Sequence, residues 1–353
     1  MTAMASLHAP VLRLGTVADD ARIEAYVAAH ADGTPFHRPA WNRAVARGCR
    51  QVAHCLLVER SGVLAGVLPL TEVHSPLFGR ALVSSGFAVG GGVLADDPVA
   101  VELLGDAAWD LAQRLSCPSV ELRGGPLPSG AWTRREGSYA GFVRPIAADD
   151  DAELLAIPRK QRAEVRRALG FALEVDIGRS ARHRAEHHAV YAASVRNLGT
   201  PVFPASLFGA VMDAFGDDAD ILTIRHDGVP IASVLSLYHA GAVMPYWGGG
   251  TAAARNWRAN DLMYFALMRH ARSRGCTRFD FGRSKPGTGA FAFKKNWGFE
   301  ATPLAYATRS APGAEPREIN PLSPKYRMQV AAWRRLPLGI ANRIGPMIAR
   351  GLG

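Results

Sequence analysis

The chain repeats itself, and an internal repeat restricts the folds open to it more than any single motif does. Leu57-Val-Glu-Arg-Ser-Gly-Val-Leu-Ala-Gly-Val-Leu aligns with Thr223-Ile-Arg-His-Asp-Gly-Val-Pro-Ile-Ala-Ser-Val. In both copies two β-rich runs are split by a glycine-containing pair, Ser61-Gly62 and Asp227-Gly228, which reads as a hairpin. The runs are Val52 to Glu59 with Val63 to Val73, and Ile221 to Arg225 with Ile231 to His239. In the first copy, strands over Ala81 to Ser84 and Gly92 to Ala95 precede a helix from about Pro98 to Leu115 and a strand over Ser119 to Arg123. In the second, a strand over Val243 to Trp247 precedes a helix from about Asn260 to Arg274 and a strand over Thr277 to Phe281. Each half is an antiparallel meander, a crossover helix and a parallel strand, giving a mixed sheet with helices on its faces. The expected class is α/β (α+β) built by tandem duplication. Hairpin, helix and strand in this order is also common among unrelated α/β chains, which is the plainer explanation of the likeness.

Composition narrows the class without naming it. The 353 residues are 48% hydrophobic and 20% charged, enough for two soluble domains. A formal net charge of +10 favours anionic partners: nucleic acid, nucleotides, acidic glycans or a membrane surface. Cys49, Cys55, Cys117 and Cys276 form no C-x-x-C pair and have no histidine at metal-ligand spacing, so reduced, mostly buried thiols of a cytosolic protein are expected. No signal-peptide pattern or membrane-spanning run is seen. His183, His187 and His188 lie in a polar helical run and are expected on an exposed face, so no metal is predicted.

Chemistry-bearing residues concentrate between Phe279 and Phe299. Gly282, Gly287 and Gly289 leave backbone N–H groups open, and Arg283, Lys285, Lys294 and Lys295 bring charge to the same place, a combination suited to a phosphate-bearing ligand. A glycine-rich hairpin with solvated lysines is the alternative. Gly282 to Gly287 has the outer spacing of a P-loop but lacks the lysine after its second glycine. Neither Gly90-Gly-Gly nor Gly248-Gly-Gly spells a dinucleotide fingerprint, and there is no G-x-S-x-G elbow. Group transfer assisted by positioning and charge remains. Lys294 is the candidate for stabilising an oxyanion, and Asp280, Tyr246 and His239 are candidate proton acceptors or structural groups.

Two basic segments stand outside this stretch. In Pro158-Arg-Lys-Gln-Arg-Ala-Glu-Val-Arg-Arg, helical spacing puts Arg159, Arg162 and Arg166 on one face, where they clamp phosphates or are simply solvated. From Lys325 onward there is no acid, and five arginines are interleaved with apolar residues. This tail lies on an anionic membrane or packs on the body, with Pro337, Gly339 and Pro346 expected to break a long helix.

Taken together, Ala259-Asn-Asp-Leu-Met-Tyr-Phe-Ala-Leu-Met-Arg-His-Ala, the Phe-Asp-Phe-Gly run, Gly287-Thr-Gly and Phe293-Lys-Lys-Asn-Trp-Gly-Phe-Glu resemble the FemAB-like branch of the GNAT acyltransferase superfamily, more narrowly the FemAB-related proteins associated with exosortase and PEP-CTERM systems. Arg196-Asn-Leu-Gly-Thr-Pro-Val-Phe-Pro, Pro245-Tyr-Trp-Gly-Gly-Gly and the tail Asn320-Pro-Leu-Ser-Pro-Lys-Tyr add to it. The resemblance is close from about Pro158 onward and looser before. It implies two GNAT-like domains, 1–148 and 149–308, followed by a basic tail, 309–353. It further implies amide-forming transfer with acyl-CoA or aminoacyl-tRNA as co-substrate and no tightly bound cofactor. In this reading Phe293-Lys294 places the lysine near the transfer centre, while Arg162, Arg166, Gly282, Arg283, Lys285, Gly287 and Gly289 hold an anionic or lipid-linked glycan precursor. The lack of an evident coiled-coil arm weighs against tRNA. The protein is expected in the cytoplasm or peripherally at the inner membrane. A non-catalytic module that binds a glycan or lipid-linked intermediate is the alternative function.

Overall fold

The computed structural model describes residues 9–75, 79–314 and 324–353. The first half runs β1 (Val11–Leu14), α1 (Asp20–Ala29), α2 (Pro39–Cys49), β2 (Val52–Arg60), β3 (Val63–Ser75), β4 (Gly79–Ser84), β5 (Leu94–Ala95), α3 (Pro98–Arg114), β6 (Ser119–Arg123) and β7 (Thr133–Pro145). Then follow α4 (Asp150–Ala156), α5 (Arg159–Leu169), β8 (Glu174–Gly178), α6 (Ala181–Leu198), α7 (Ala205–Phe215), β9 (Ala219–His226), β10 (Val229–His239) and β11 (Ala242–Gly250). The remainder is α8 (Ala259–Ser273), β12 (Arg278–Ser284), α9 (Gly289–Asn296), β13 (Thr302–Ser310), α10 (Pro324–Arg335) and α11 (Leu338–Ala349).

The two hairpins that align in sequence also match in geometry. Arg60 pairs with Val63 and His226 with Val229, and both central residues of each turn have positive φ: 50° and 78° at Ser61 and Gly62, 50° and 73° at Asp227 and Gly228. Two left-handed residues in succession match the twist of the flanking strands. In both halves the crossover helix is followed by a parallel pairing, β4 with β6 and β11 with β12.

All described strands join one mixed α/β sheet in the order β1-β2-β3-β4-β6-β13-β7-β12-β11-β10-β9-β8, with β5 beside β3. The halves exchange strands at its centre: β7 pairs with β12, and β13 pairs with β6 as well as with β7. Packing follows pairing. Phe142 of β7 joins the core of Phe265, Phe279, Trp297 and Phe299, whereas Ala307 of β13 joins that of Leu68, Leu82, Leu104 and Leu122. A third core, with Trp41, Phe208, Phe215 and Trp247, forms where α2 meets α7 and the second hairpin.

Several local expectations are corrected. Pro39 begins α2, because proline at the first helical position loses no hydrogen bond. The end of the Gly282 to Phe299 stretch is helical, with Thr288 capping α9 through the Phe291 N–H. Pro346 does not interrupt α11, although Pro337 does separate it from α10. The histidines are not exposed. His183, His187 and Val190 face inward on α6; His187 is fully buried, its Nδ1 lies 3.0 Å from Ser233 Oγ, and burial pulls its pKa down to about 3. The four cysteines are free thiols, three of them buried, and burial pushes Cys49 up to about 12. Among the described residues no helix is long and apolar enough to cross a membrane, and no group of three or more His, Cys, Asp or Glu is placed to hold a metal ion. The resemblance segment at Asn320 lies largely outside the described residues.

Candidate active site

Parallel strands β11 and β12 pair only at Ala242–Arg278 and Val243–Phe279, then diverge. The opening is fixed from both sides. On β12 a bulge between Asp280 and Arg283 inserts an extra residue against β7, and Gly282 occupies it at φ 66°, where a side chain would be strained. On β11 the glycines serve close packing: a Cβ on Gly249 would lie 2.3 Å from Ser194 Oγ, and one on Gly250 2.7 Å from Asn260 Oδ1.

The bulge gathers the charged groups. Asp280 Oδ1 accepts the Gly282 N–H at 2.8 Å, and burial raises its pKa. Lys294 reaches back from α9 and donates to the Arg283 carbonyl at 2.9 Å, with its Nζ 5.3 Å from the Phe142 ring centre and 5.6 Å from that of Phe281. Burial lowers its pKa to about 8, and the Asp280 charge opposes that shift. An ammonium has three donors, and the carbonyl takes one. Lys294 thus presents charge in apolar surroundings, where electrostatic stabilisation is stronger than in water.

Arg283, whose carbonyl Lys294 meets, turns its side chain into a cavity of about 240 Å³ lined also by Arg123, Arg135, Tyr139, Lys285 and Tyr306, with Leu352 and Gly353 at its border; Lys294 and Asp280 do not line it. Arg283 stacks 4.6 Å from the Tyr139 ring centre, donates to Tyr306 Oη at 2.5 Å, and forms no ion pair among the described residues. Arg123 is 7% exposed and donates to Glu121 at 2.6 Å. Three successive carbonyls after β4 bind this set in place. Phe87 accepts from Tyr246 Oη at 2.6 Å, Ala88 from Arg123 at 3.2 Å and Val89 from Tyr306 Oη at 3.2 Å.

Of the residues singled out from sequence, Lys294, Asp280 and Gly282 gather at the bulge, Arg283 and Lys285 line the cavity, and Tyr246 holds the Phe87 carbonyl behind it. Burial raises the Tyr246 pKa, and its proton is committed to Phe87. Phe293 packs against Tyr264, Phe281 and Trp297, anchoring α9. Gly287 is exposed in the turn before α9 and Gly289, also exposed, is the first residue of α9; neither lines the cavity. Arg162 and Arg166 lie on α5, which packs on α8. Arg162 donates to the Ile157 carbonyl, and neither lines the cavity. His239 is at the opposite end of the strands, paired with Ala242. Sequence reasoning missed Arg123, Arg135, Tyr139 and Tyr306. The repeat held one signal: Val120-Glu-Leu-Arg123 ends the first half's parallel strand as Phe279-Asp-Phe-Gly-Arg283 ends the second.

Residues 158–295 match a family model described as an acetyltransferase (GNAT) domain. FemX superposes with a TM-score of 0.65 at 16% identity, over 83% of this chain and 96% of FemX. This is a FemAB-like GNAT fold. The C-terminal domain of a putative lysylphosphatidylglycerol synthetase from Agrobacterium fabrum gives 0.56 at 14% identity, over 84% of this chain and 93% of that one. A tandem GNAT protein from the clavulanic acid biosynthesis pathway gives 0.53 at 13%, over 87% and 100%. No curated protein sequence matches the chain. The GNAT domain therefore covers the splayed strands, Asp280, Arg283 and Lys294, while the tandem arrangement brings Arg123 and the Phe87 to Val89 carbonyls to the same place.

Proposed function

We propose that this protein is an amide-forming N-acyl- or aminoacyltransferase that modifies a cell-envelope or exopolysaccharide precursor from the cytoplasmic side. The observation that carries this reading is Lys294, partly buried among aromatic rings near Asp280 and held on the carbonyl of Arg283, whose side chain lines a cavity with three further cations. Acyl-CoA and aminoacyl-tRNA are the co-substrate classes. The GNAT domain match supports the first; the second follows from reading the transferred group as an amino acid, as in the name of the putative lysylphosphatidylglycerol synthetase whose domain shares this fold.

In the transfer, the acceptor amine nitrogen bonds to the acyl carbonyl carbon. The thioester C–S or ester C–O bond breaks, and the amine proton passes to the leaving thiolate or alkoxide. Lys294 stabilises the oxyanion formed on the way. Asp280, whose raised pKa makes it a stronger base than an ordinary aspartate, relays the proton. Arg123, Arg283 and Lys285 hold the phosphate or diphosphate of the anionic substrate.

The test combines donor assays on the purified protein, with acyl-CoA and separately with aminoacyl-tRNA, and mass spectrometry of envelope glycans from a deletion strain. The expected result is a missing acyl or aminoacyl substituent in the strain and a drop on the order of 10²-fold in rate for Lys294→Ala. Bound precursor with unchanged glycan chemistry would replace this reading with the non-catalytic module.

A further inference from the structure

The last helix is built with two unlike faces. Ala341, Gly345 and Ala349 are buried on one side of α11, which lies against α6, and a Cβ on Gly345 would stand 3.2 Å from the Val202 nitrogen. The other side carries Ile340, Arg343 and Met347, three and then four residues apart. Ile340 is 50% exposed and Met347 64%. Arg334 and Arg335, both exposed, end α10 immediately before the turn into α11. Among the described residues Arg335 and Arg343 form neither an ion pair nor a hydrogen bond. From Lys325 to Gly353 there are six cations and no acid.

A surface that joins the large apolar side chains of α11 to Arg343 on the same face and to Arg335 at the end of α10, both without an acidic partner among the described residues, has the composition of a segment lying in the plane of an anionic bilayer. A second copy of the chain is the poorer occupant, since two-fold pairing of this face sets like charges against each other. We propose that α11, with the basic end of α10, docks on an anionic membrane surface. Ile340 and Met347 enter the headgroup boundary, and Arg334, Arg335 and Arg343 meet lipid phosphates. The docking stands on this surface alone. Its consequence for the acceptor rests on the transfer reading: α11 leads directly into Leu352 and Gly353 at the border of the cationic cavity, so a docked protein holds that cavity close to the bilayer.

The experiment uses the full chain and sedimentation with vesicles of phosphatidylcholine containing about 30% phosphatidylserine, enough to set a negative surface potential. Wild-type protein is expected to sediment with these vesicles, far less with phosphatidylcholine alone, and less as salt rises. Reversing three charges (Arg334→Glu, Arg335→Glu, Arg343→Glu) should weaken binding about tenfold or more. Ile340→Asn with Met347→Asn should weaken it comparably, both variants melting as the wild type does. Hydrogen exchange on the wild type needs no variant and should show vesicle-dependent protection over residues 338–349. Equal sedimentation of wild type and variants, no wild-type binding, or a concentration-dependent dimer lost in the Ile340→Asn/Met347→Asn protein would each overturn the proposal. No activity is measured, so failure here leaves the transfer reading standing, and the reverse also holds.

Discussion

Lys294 carries a charge that its surroundings disfavour, and that makes its role measurable through pH. With the ammonium as the active form, kcat/KM should fall about tenfold per pH unit above the group's pKa, near 8, in a pH–rate profile at limiting substrate. Lys294→Arg should lose that limb, because a guanidinium stays charged. A limb that persists in the arginine variant would assign it to another group. Stability moves the opposite way. The folded pKa lies below the usual 10.5, so folding disfavours the charged form, and the penalty is full below about pH 8 and fades as pH climbs to 10.5. Lys294→Met should therefore be more stable than wild type at pH 7, on the order of 2 kcal/mol. The difference in melting temperature should shrink above pH 8 and vanish beyond 10.5.

At the scale of elements, helices α2 and α7 approach through Gly48. A Cβ there would lie 2.5 Å from Leu207 Cα and 2.9 Å from its nitrogen, backbone atoms that cannot yield as a side chain can. Gly48→Ala should cost about 2–3 kcal/mol in thermal or denaturant unfolding despite the higher helix propensity of alanine. Element by element, what could be read from the chain was what is locally determined. Ser61-Gly62 and Asp227-Gly228 specify their hairpins because the turn conformation is a property of those residues. Asp97 with Pro98 likewise marks the start of α3, where the Asp97 side chain accepts the Ala100 N–H. The inward face of α6 was not legible, since His183 and His187 are polar by type and buried by what α6 packs against. Nor was β7, whose Thr133-Arg-Arg-Glu-Gly-Ser start gives no apolar alternation. Lys294 and Asp280 were found by residue type, but their proximity depends on a bulge and a capped helix.

The whole molecule is tied together by its exchanged strands. Residues 1–148 alone would leave β6 without β13 and expose both edges of β7, and long unpaired edges aggregate. Expressed separately, 1–148 should be insoluble; expressed with 149–353, it should copurify as a soluble complex. A monomeric 1–148 with a cooperative melt would show that the exchange is dispensable. The sequence by itself determined the repeat, the hairpin turns, the crossover helices and the chemical inventory of Lys294, Asp280 and Arg283, because these follow from local conformational preference and residue type. Only the tertiary structure decided that each half completes the other's sheet, and that Arg123 from one half shares a cavity with Arg283 from the other. Strand pairing and charge juxtaposition join residues more than a hundred positions apart, and their free energy depends on distances that only the folded chain sets.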